Sequence, residues 1–205
     1  MNLLLDELPC EVMIGGYRYP IRSDYRYSVM FEMLMLDQEE SERSKLEKAL
    51  KLYYPTIPQN LNAAVDKLLW FYRCGKDQET DRKQKSKRRS EDKRVYDYDF
   101  DDAYIYAAFL QQYGVDLQDT EIHWWKFRAM FKSLGDNTEF VKIMGYRSMT
   151  ITNGMTKSQK EFYQDMKRIH ALPAPRSERQ KDSAIAYALM HGGDLSKIGV
   201  CTGAK

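Results

Sequence analysis

Apolar side chains recur along most of this chain at helical spacing, with one short exception near the start. In CEVMIGGYRYPIR, residues 10–22, two β-prone runs flank Gly15-Gly16, the chemistry of a tight hairpin turn. Pro20 lacks a backbone donor and fits only an edge or the end of the second strand. Asp24–Leu36 then reads as a helix capped by Ser23 or Asp24, with Val29, Met33 and Leu36 on one side. A second helix is predicted over Glu39–Leu52, charged on its outer face and interrupted by Pro55 and Pro58. NLNAAVDKLLWFY predicts a third, with Leu61, Val65, Leu68 and Leu69 inward.

After Gly75 the pattern stops. KDQETDRKQKSKRRSEDKRV, residues 76–95, holds almost nothing that could enter a core, and such a stretch cannot offset its own chain entropy. It is expected to be an exposed, mobile linker or insert. In DYDFDDAYIYAAFLQQYGVDL the pattern resumes. Asp99, Asp101 and Asp102 suit a helix N-terminus and Gly114 suits its C′ position, while Ala103 to Leu110 is apolar all round, as in a central buried helix.

EIHWWKFRAMFKSLG, residues 121–135, predicts a helix capped by Asp119 or Thr120 and closed by Gly135. Trp124, Phe127, Phe131 and Leu134 form one apolar stripe. Trp125 lies about 100° round from Trp124, near Ile122 and Ala129. Such a helix is either buried on both sides, or buried on one side and in contact with a partner on the other. Ile122, Trp125 and Ala129 are therefore the candidate partner-binding residues, with Trp124 in the core. Arg128 and Lys132 read as a solvated strip, and His123, at the edge of the first stripe, as a satisfied structural residue. Next, NTEFVKIMGYR adds a short helix capped by Asn137 or Thr138, SMTITNGM an extended turn or strand, and TKSQKEFYQDMKRIHALP a polar amphipathic helix ending before Pro173. Beyond Pro173, Ser177 caps one more predicted helix, to about Met190. The pattern adds up to a mainly α (α+β) fold, a compact helical bundle with a small N-terminal β-hairpin. It divides into hairpin and helices (1–75), charged linker (76–95), helical core (96–172) and C-terminal appendage (173–205).

Composition narrows the function. Of 205 residues, 43% are hydrophobic and 30% charged, and the longest apolar run, Ala103–Leu110, is far too short to cross a bilayer. No membrane partner is expected. MNLLLDELP meets Asp6 and Glu7 too early for a signal peptide. Cys10, Cys74 and Cys201 are scattered and odd in number, which fits a reducing cytoplasm better than a disulfide framework or a zinc site. A net charge of +2 does not make the whole chain a polyanion binder. The cluster Lys85–Arg89 has no aromatic residue interleaved for base stacking and is flanked by acids, so nucleic acid is not an expected partner.

A search for chemistry returns little. Asp97, Asp99 and Asp101 have the 1, 3, 5 spacing of a calcium loop, but Asp102 stands where that loop needs Gly and Ala108 where it needs Glu. MIGGYR and MHGGDLSKIG match neither the phosphate-binding nor the dinucleotide pattern. His123, His170 and His191 sit in separate segments, none with a Cys or Asp at ligand spacing. No catalytic residue, metal site or cofactor is expected, and the protein reads as a non-enzyme.

At DDAYIYAAFLQQYGVDL, IHWWKFRAMFKSL and KIMGYR the chain resembles a family of tailed-bacteriophage proteins from the tail-morphogenesis region, the tail assembly chaperones or tail assembly proteins. The likeness is strongest over 95–172. It implies a non-enzymatic protein that coats the long, helical tape measure protein and keeps it soluble until the tail tube polymerises around it. Implied partners are the tape measure protein, other tail assembly proteins and the protein itself. The implied place is the cytoplasm of the infected bacterium, not the mature virion. Residues 76–94 and the segment after Pro173 depart from the family. Two other functions compete: a structural tail or head–tail joining subunit, and a nucleic-acid binder using Arg82, Lys83, Lys85, Lys87, Arg88 and Arg89.

Overall fold

The computed structural model describes residues 2–76 and 94–173. The charged stretch, except Lys76, Arg94 and Val95, and the helix expected after Ser177 lie outside the described residues.

Strands β1 (Glu11–Ile14) and β2 (Tyr17–Pro20) pair antiparallel, with Ile14 opposite Tyr17 and Glu11 opposite Pro20. Gly15 and Gly16 join them at φ +58° and +83°, the left-handed pair that such a turn demands. Alternation puts Val12 and Ile14 into the core and Met13 outside.

Seven helices follow among the described residues: α1 (Tyr25–Leu36), α2 (Glu42–Tyr53), α3 (Leu61–Tyr72), α4 (Asp102–Tyr113), α5 (Trp124–Lys132), α6 (Glu139–Ser148) and α7 (Lys157–Ile169). Local chemistry sets most of their ends. Asp24, Ser41, Asn60, Thr138 and Thr156 each accept a backbone N–H of the first turn. Thr156 and Gln159 complete a reciprocal capping box. Gly114, at φ +64°, ends α4 as expected. The fold is mainly α with a small β-hairpin.

Side chains from the hairpin through α6 share one core cluster. Its centre is aromatic: Tyr25, Phe109, Phe127 and Phe131 form a run of stacked rings, with Tyr25–Phe127 at 4.4 Å and Phe109–Phe127 at 4.9 Å. Tyr25, buried, and Tyr53, fully buried, anchor their hydroxyls on the Leu117 carbonyl and on Ser28.

Several expectations fail in the orientation of elements. Helix α1 buries Tyr25, Ser28 and Phe31 and leaves Leu36 exposed, because the large rings, not the Val29–Met33–Leu36 side, meet α2 and α5. In α3 the inward positions are Ala64, Leu68 and Phe71, with Leu61 exposed in the first turn. Of the two readings of SMTITNGM, the extended turn holds and the strand does not, with Ser148 still in α6. Helix α4, expected to be buried all round, buries only Ile105, Ala108 and Phe109.

The tryptophan helix differs most. It starts at Trp124, not after Asp119 or Thr120, and its N-cap is His123, whose Nδ1 accepts the Trp125 N–H at 3.1 Å. Ile122 and Ser23 are already committed to a backbone bridge with α1, Tyr25 N–H to Ile122 O and Trp124 N–H to Ser23 O, so the helix cannot begin earlier. Ser133 is the C-cap rather than Gly135.

Candidate partner-binding face

Ile122, Trp125 and Ala129 do not form the outward patch expected of them. Ile122 is 7% and Trp125 5% exposed, and Ala129 is half-buried. The Trp125 indole N–H donates to the Phe71 carbonyl at 2.8 Å, and its ring packs edge-on against Trp70. Gly75, at φ +72°, lies so close that a Cβ there would fall 2.9 Å from the ring. Trp124 sits with its N–H on the Tyr72 carbonyl and its ring stacked on Tyr72. Helix α5 is thus buried on both sides, and both tryptophans cap the carbonyl end of α3. Arg128, expected in solvent, also donates to Tyr72 O and lies over the Tyr72 and Trp124 rings. It meets a helix C-terminus, where a cation is favourable.

One outward apolar surface lies instead on α4, beside scattered exposed residues such as Leu4, Leu5 and Ile169. With Ile105, Ala108 and Phe109 turned inward, Ala103, Tyr104, Ala107 and Leu110 point to solvent on the opposite side. Tyr104 and Leu110 are 39% and 46% exposed, and Phe100, in the turn before α4 and under the Arg147 guanidinium, is 48% exposed. No charged residue occurs between Ala103 and Tyr113. Exposed helical faces are normally charged, and nearly a third of this chain is.

Side chains from other elements hold this face in place. Asp101, fully buried at the start of α4, accepts two hydrogen bonds from the Arg147 guanidinium of α6, at 2.6 and 2.8 Å, and the Asp97 N–H at 2.9 Å. Arg147 also donates to the carbonyls of His170 and Val95. At the other end Gln112 donates to Ser133 O and accepts from Gly135 N–H, and the Tyr113 hydroxyl donates to Met130 O. The acidic run is used up in this entry turn: Asp97 accepts the N–H groups of Asp99 and Phe100. No group of three or more metal-ligating side chains gathers among the described residues.

A cleft of about 220 Å³ lies between the end of α1 and residues 94–99, lined by Glu32, Met33, Leu36, Arg94, Tyr98 and Asp99 among others. Glu32 accepts the Tyr72 and Tyr96 hydroxyls, both at 2.8 Å. Burial, and then the Glu32 charge, push both tyrosines well above the ordinary phenol range; burial does the same to Tyr98, with Tyr96 and Glu32 adding to it. Hydroxyls held this firmly neutral are poor bases and poor nucleophiles, so the cluster acts as a polar rivet between α1, α3 and the entry to α4.

None of this was marked in the sequence by a motif. The signal for the α4 face was the missing charge between Ala103 and Tyr113 together with small residues at 103 and 107, spaced i, i+4. The Asp101–Arg147 pair, separated by 46 residues, had no local signal.

No helix among the described residues is long and apolar enough to cross a membrane. Neither the curated proteins nor the solved structures contain a match to the chain. A family model described as Bacteriophage Gp15 protein matches residues 4–172, spanning the hairpin, the aromatic core, the α4 face and α7. The chain belongs to the bacteriophage Gp15 protein family.

Proposed function

We propose that this phage protein is a tail assembly chaperone, which binds the tape measure protein during tail morphogenesis and is not itself an enzyme. The observation that carries the reading is the uncharged face of α4 from Ala103 to Leu110, since a client rich in helix needs an apolar, shallow surface rather than a cleft with reactive groups. Ala103 and Ala107 let a helix backbone approach closely, and Tyr104 and Leu110 supply the apolar anchors. A face built from one twelve-residue helix is small beside the roughly 800 Å² per partner of a standard stable interface. A reversible contact of that size suits a protein that the polymerising tail tube must displace. Binding takes place in the cytoplasm of the infected host, and the protein is absent from finished virions.

The test is co-expression with the neighbouring tape measure protein, followed by pull-down of the wild type and of Leu110→Arg and Ala107→Arg. Co-purification of the wild type with loss in both variants is expected. Equal recovery of all three rules out this face. Recovery of the protein as a stoichiometric component of purified virions makes it a structural subunit instead, and salt-dependent retention on DNA would move the reading to nucleic-acid binding.

A further inference from the structure

His123 stands where three segments meet. Its backbone bridges Asp24, and its ring lies edge-on to Phe71 of α3 and to Trp125. Nε2 is 3.1 Å from the Pro9 carbonyl, and Nδ1 is 3.1 Å from the Trp125 N. A carbonyl only accepts and an amide N–H only donates, so Nε2 carries the ring proton and Nδ1 is bare. Both nitrogens are used, and only the neutral Nε2–H tautomer satisfies both. An imidazolium keeps the bond to Pro9 but turns an N–H against the Trp125 N–H.

We propose that His123 is a protonation-sensitive cap: a proton gained at Nδ1 uncaps the first turn of α5 while the ring stays tethered to Pro9. The charges around it favour the capped state at neutral pH. Burial is the main force lowering its pKa, and Lys126 on its own helix acts in the same direction, while the Pro9 carbonyl opposes them. From α1, the Asp24 carboxylate is taken up by the Arg26 guanidinium and by the N–H groups of Arg26 and Ile122. The group that α3 sets against the ring is apolar Phe71. Before β1, Cys10 directs its thiol to Leu8 O and Ser23. With the folded pKa below the unfolded value of about 6.5, the unfolded chain takes up the proton first. The cap's contribution is complete above about pH 6.5 and is lost as pH falls toward the folded pKa. The Trp125 indole, held on Phe71 O, hangs from the turn that opens.

The experiment follows the ¹⁵N imidazole signals of the full chain and the hydrogen exchange of the Trp125 amide between pH 7.5 and 5. The Nε2–H tautomer is expected at pH 7.5. Opening at Trp125, corrected for intrinsic exchange, should rise about five- to ten-fold on acidification, the scale of a lost N-cap. His123→Asn retains a capping oxygen that does not titrate, and its opening should stay flat. A proton on Nδ1 at pH 7.5, an unchanged Trp125 amide through the His123 titration, or the same pH profile in His123→Asn overturns the proposal. Should that variant fail to fold, the imidazole and amide signals of the wild type decide alone.

Discussion

Helices α4 and α5 both carry apolar side chains on more than one side, α5 with Lys126, Arg128 and Lys132 set among them, and the fold treats them in opposite ways. Nine-residue α5 carries two tryptophans and is covered on two sides, by α3 and by the ring stack of Tyr25, Phe109 and Phe127. Twelve-residue α4 turns Ile105, Ala108 and Phe109 inward and leaves Ala103, Tyr104, Ala107 and Leu110 uncovered. The difference lies in what the polar atoms can reach. An indole N–H must find an acceptor when buried, and the last carbonyls of α3 offer two side by side, at Phe71 and Tyr72. Tyr104 and two alanines have no such requirement and tolerate solvent. Apolar residues on more than one side therefore do not decide which side is covered; the free carbonyls at the end of a neighbouring helix do.

The largest expected effect falls on α5. Trp125→Ala should cost about 3–5 kcal/mol of stability, close to the cost of Trp124→Ala, because both are large core truncations. Denaturant melts of the two variants check this. Under the proposed function, recovery of the tape measure protein should then fall only in proportion to the folded fraction. A Trp125 variant of near wild-type stability would place that ring outside the core and collapse the contrast.

Next in size is the anchor of α4. Arg147→Met leaves the buried Asp101 carboxylate without its cation and should cost about 3 kcal/mol, the lower end for breaking a buried pair. Adding Asp101→Asn should restore part of the loss in the same melts. Strict additivity of the two changes would show that the pair does not act as a unit.

Alkaline titration probes the core side by another route. Tyr72, Tyr96 and Tyr98 hold their protons far above the value of an unfolded tyrosine, about 10. Their contribution is complete below pH 10 and is lost as pH rises, since the unfolded chain releases those protons first. Phenolate absorbance should therefore lag behind the protein's total of 15 tyrosines and then appear cooperatively with loss of the fold. A smooth, non-cooperative titration near pH 10 would mean that the hydroxyls reach water.

The smallest stability change is expected on the open face. Leu110→Arg and Ala107→Arg should shift stability by no more than about 0.5 kcal/mol, as surface changes do. The same variants should weaken client binding by about 2 kcal/mol or more if the face holds interface hot spots. Calorimetry on the variants and on the wild type separates the two effects. A large loss of stability would put this side of α4 in a core and sharpen the comparison against the proposed role.

What the sequence made legible was local. Gly15-Gly16 announced the hairpin, Gly114 the end of α4, and Asn137-Thr138 the start of α6, because each device works between atoms a few residues apart. The starting point of α5 was not legible. Asp119 and Thr120 are good caps in isolation, yet the backbone bridge from Ser23 and Tyr25 overrides them and hands the role to a histidine. The face of α1 was misjudged for a similar reason. Aliphatic spacing favoured Val29, Met33 and Leu36, whereas Tyr25 and Phe31 found ring partners in Phe127, Tyr53 and Tyr72. Nothing in the periodicity of α4 indicated that its outer side lacks a neighbour among the described residues, since that depends on the packing of every other helix.

Mechanically, α4 is a beam pinned at both ends. Its first turn is bolted through Asp101 to Arg147, and its last turn is braced by Gln112 and Tyr113 against the 130–135 segment. A beam held that way resists bending and rolling, so under the proposed function it is the client that conforms. The entropy of ordering the receiving surface has already been spent during folding, and little remains to be lost when a client docks. Loosening one pin, while leaving every outward side chain in place, should slow docking and raise its entropic cost.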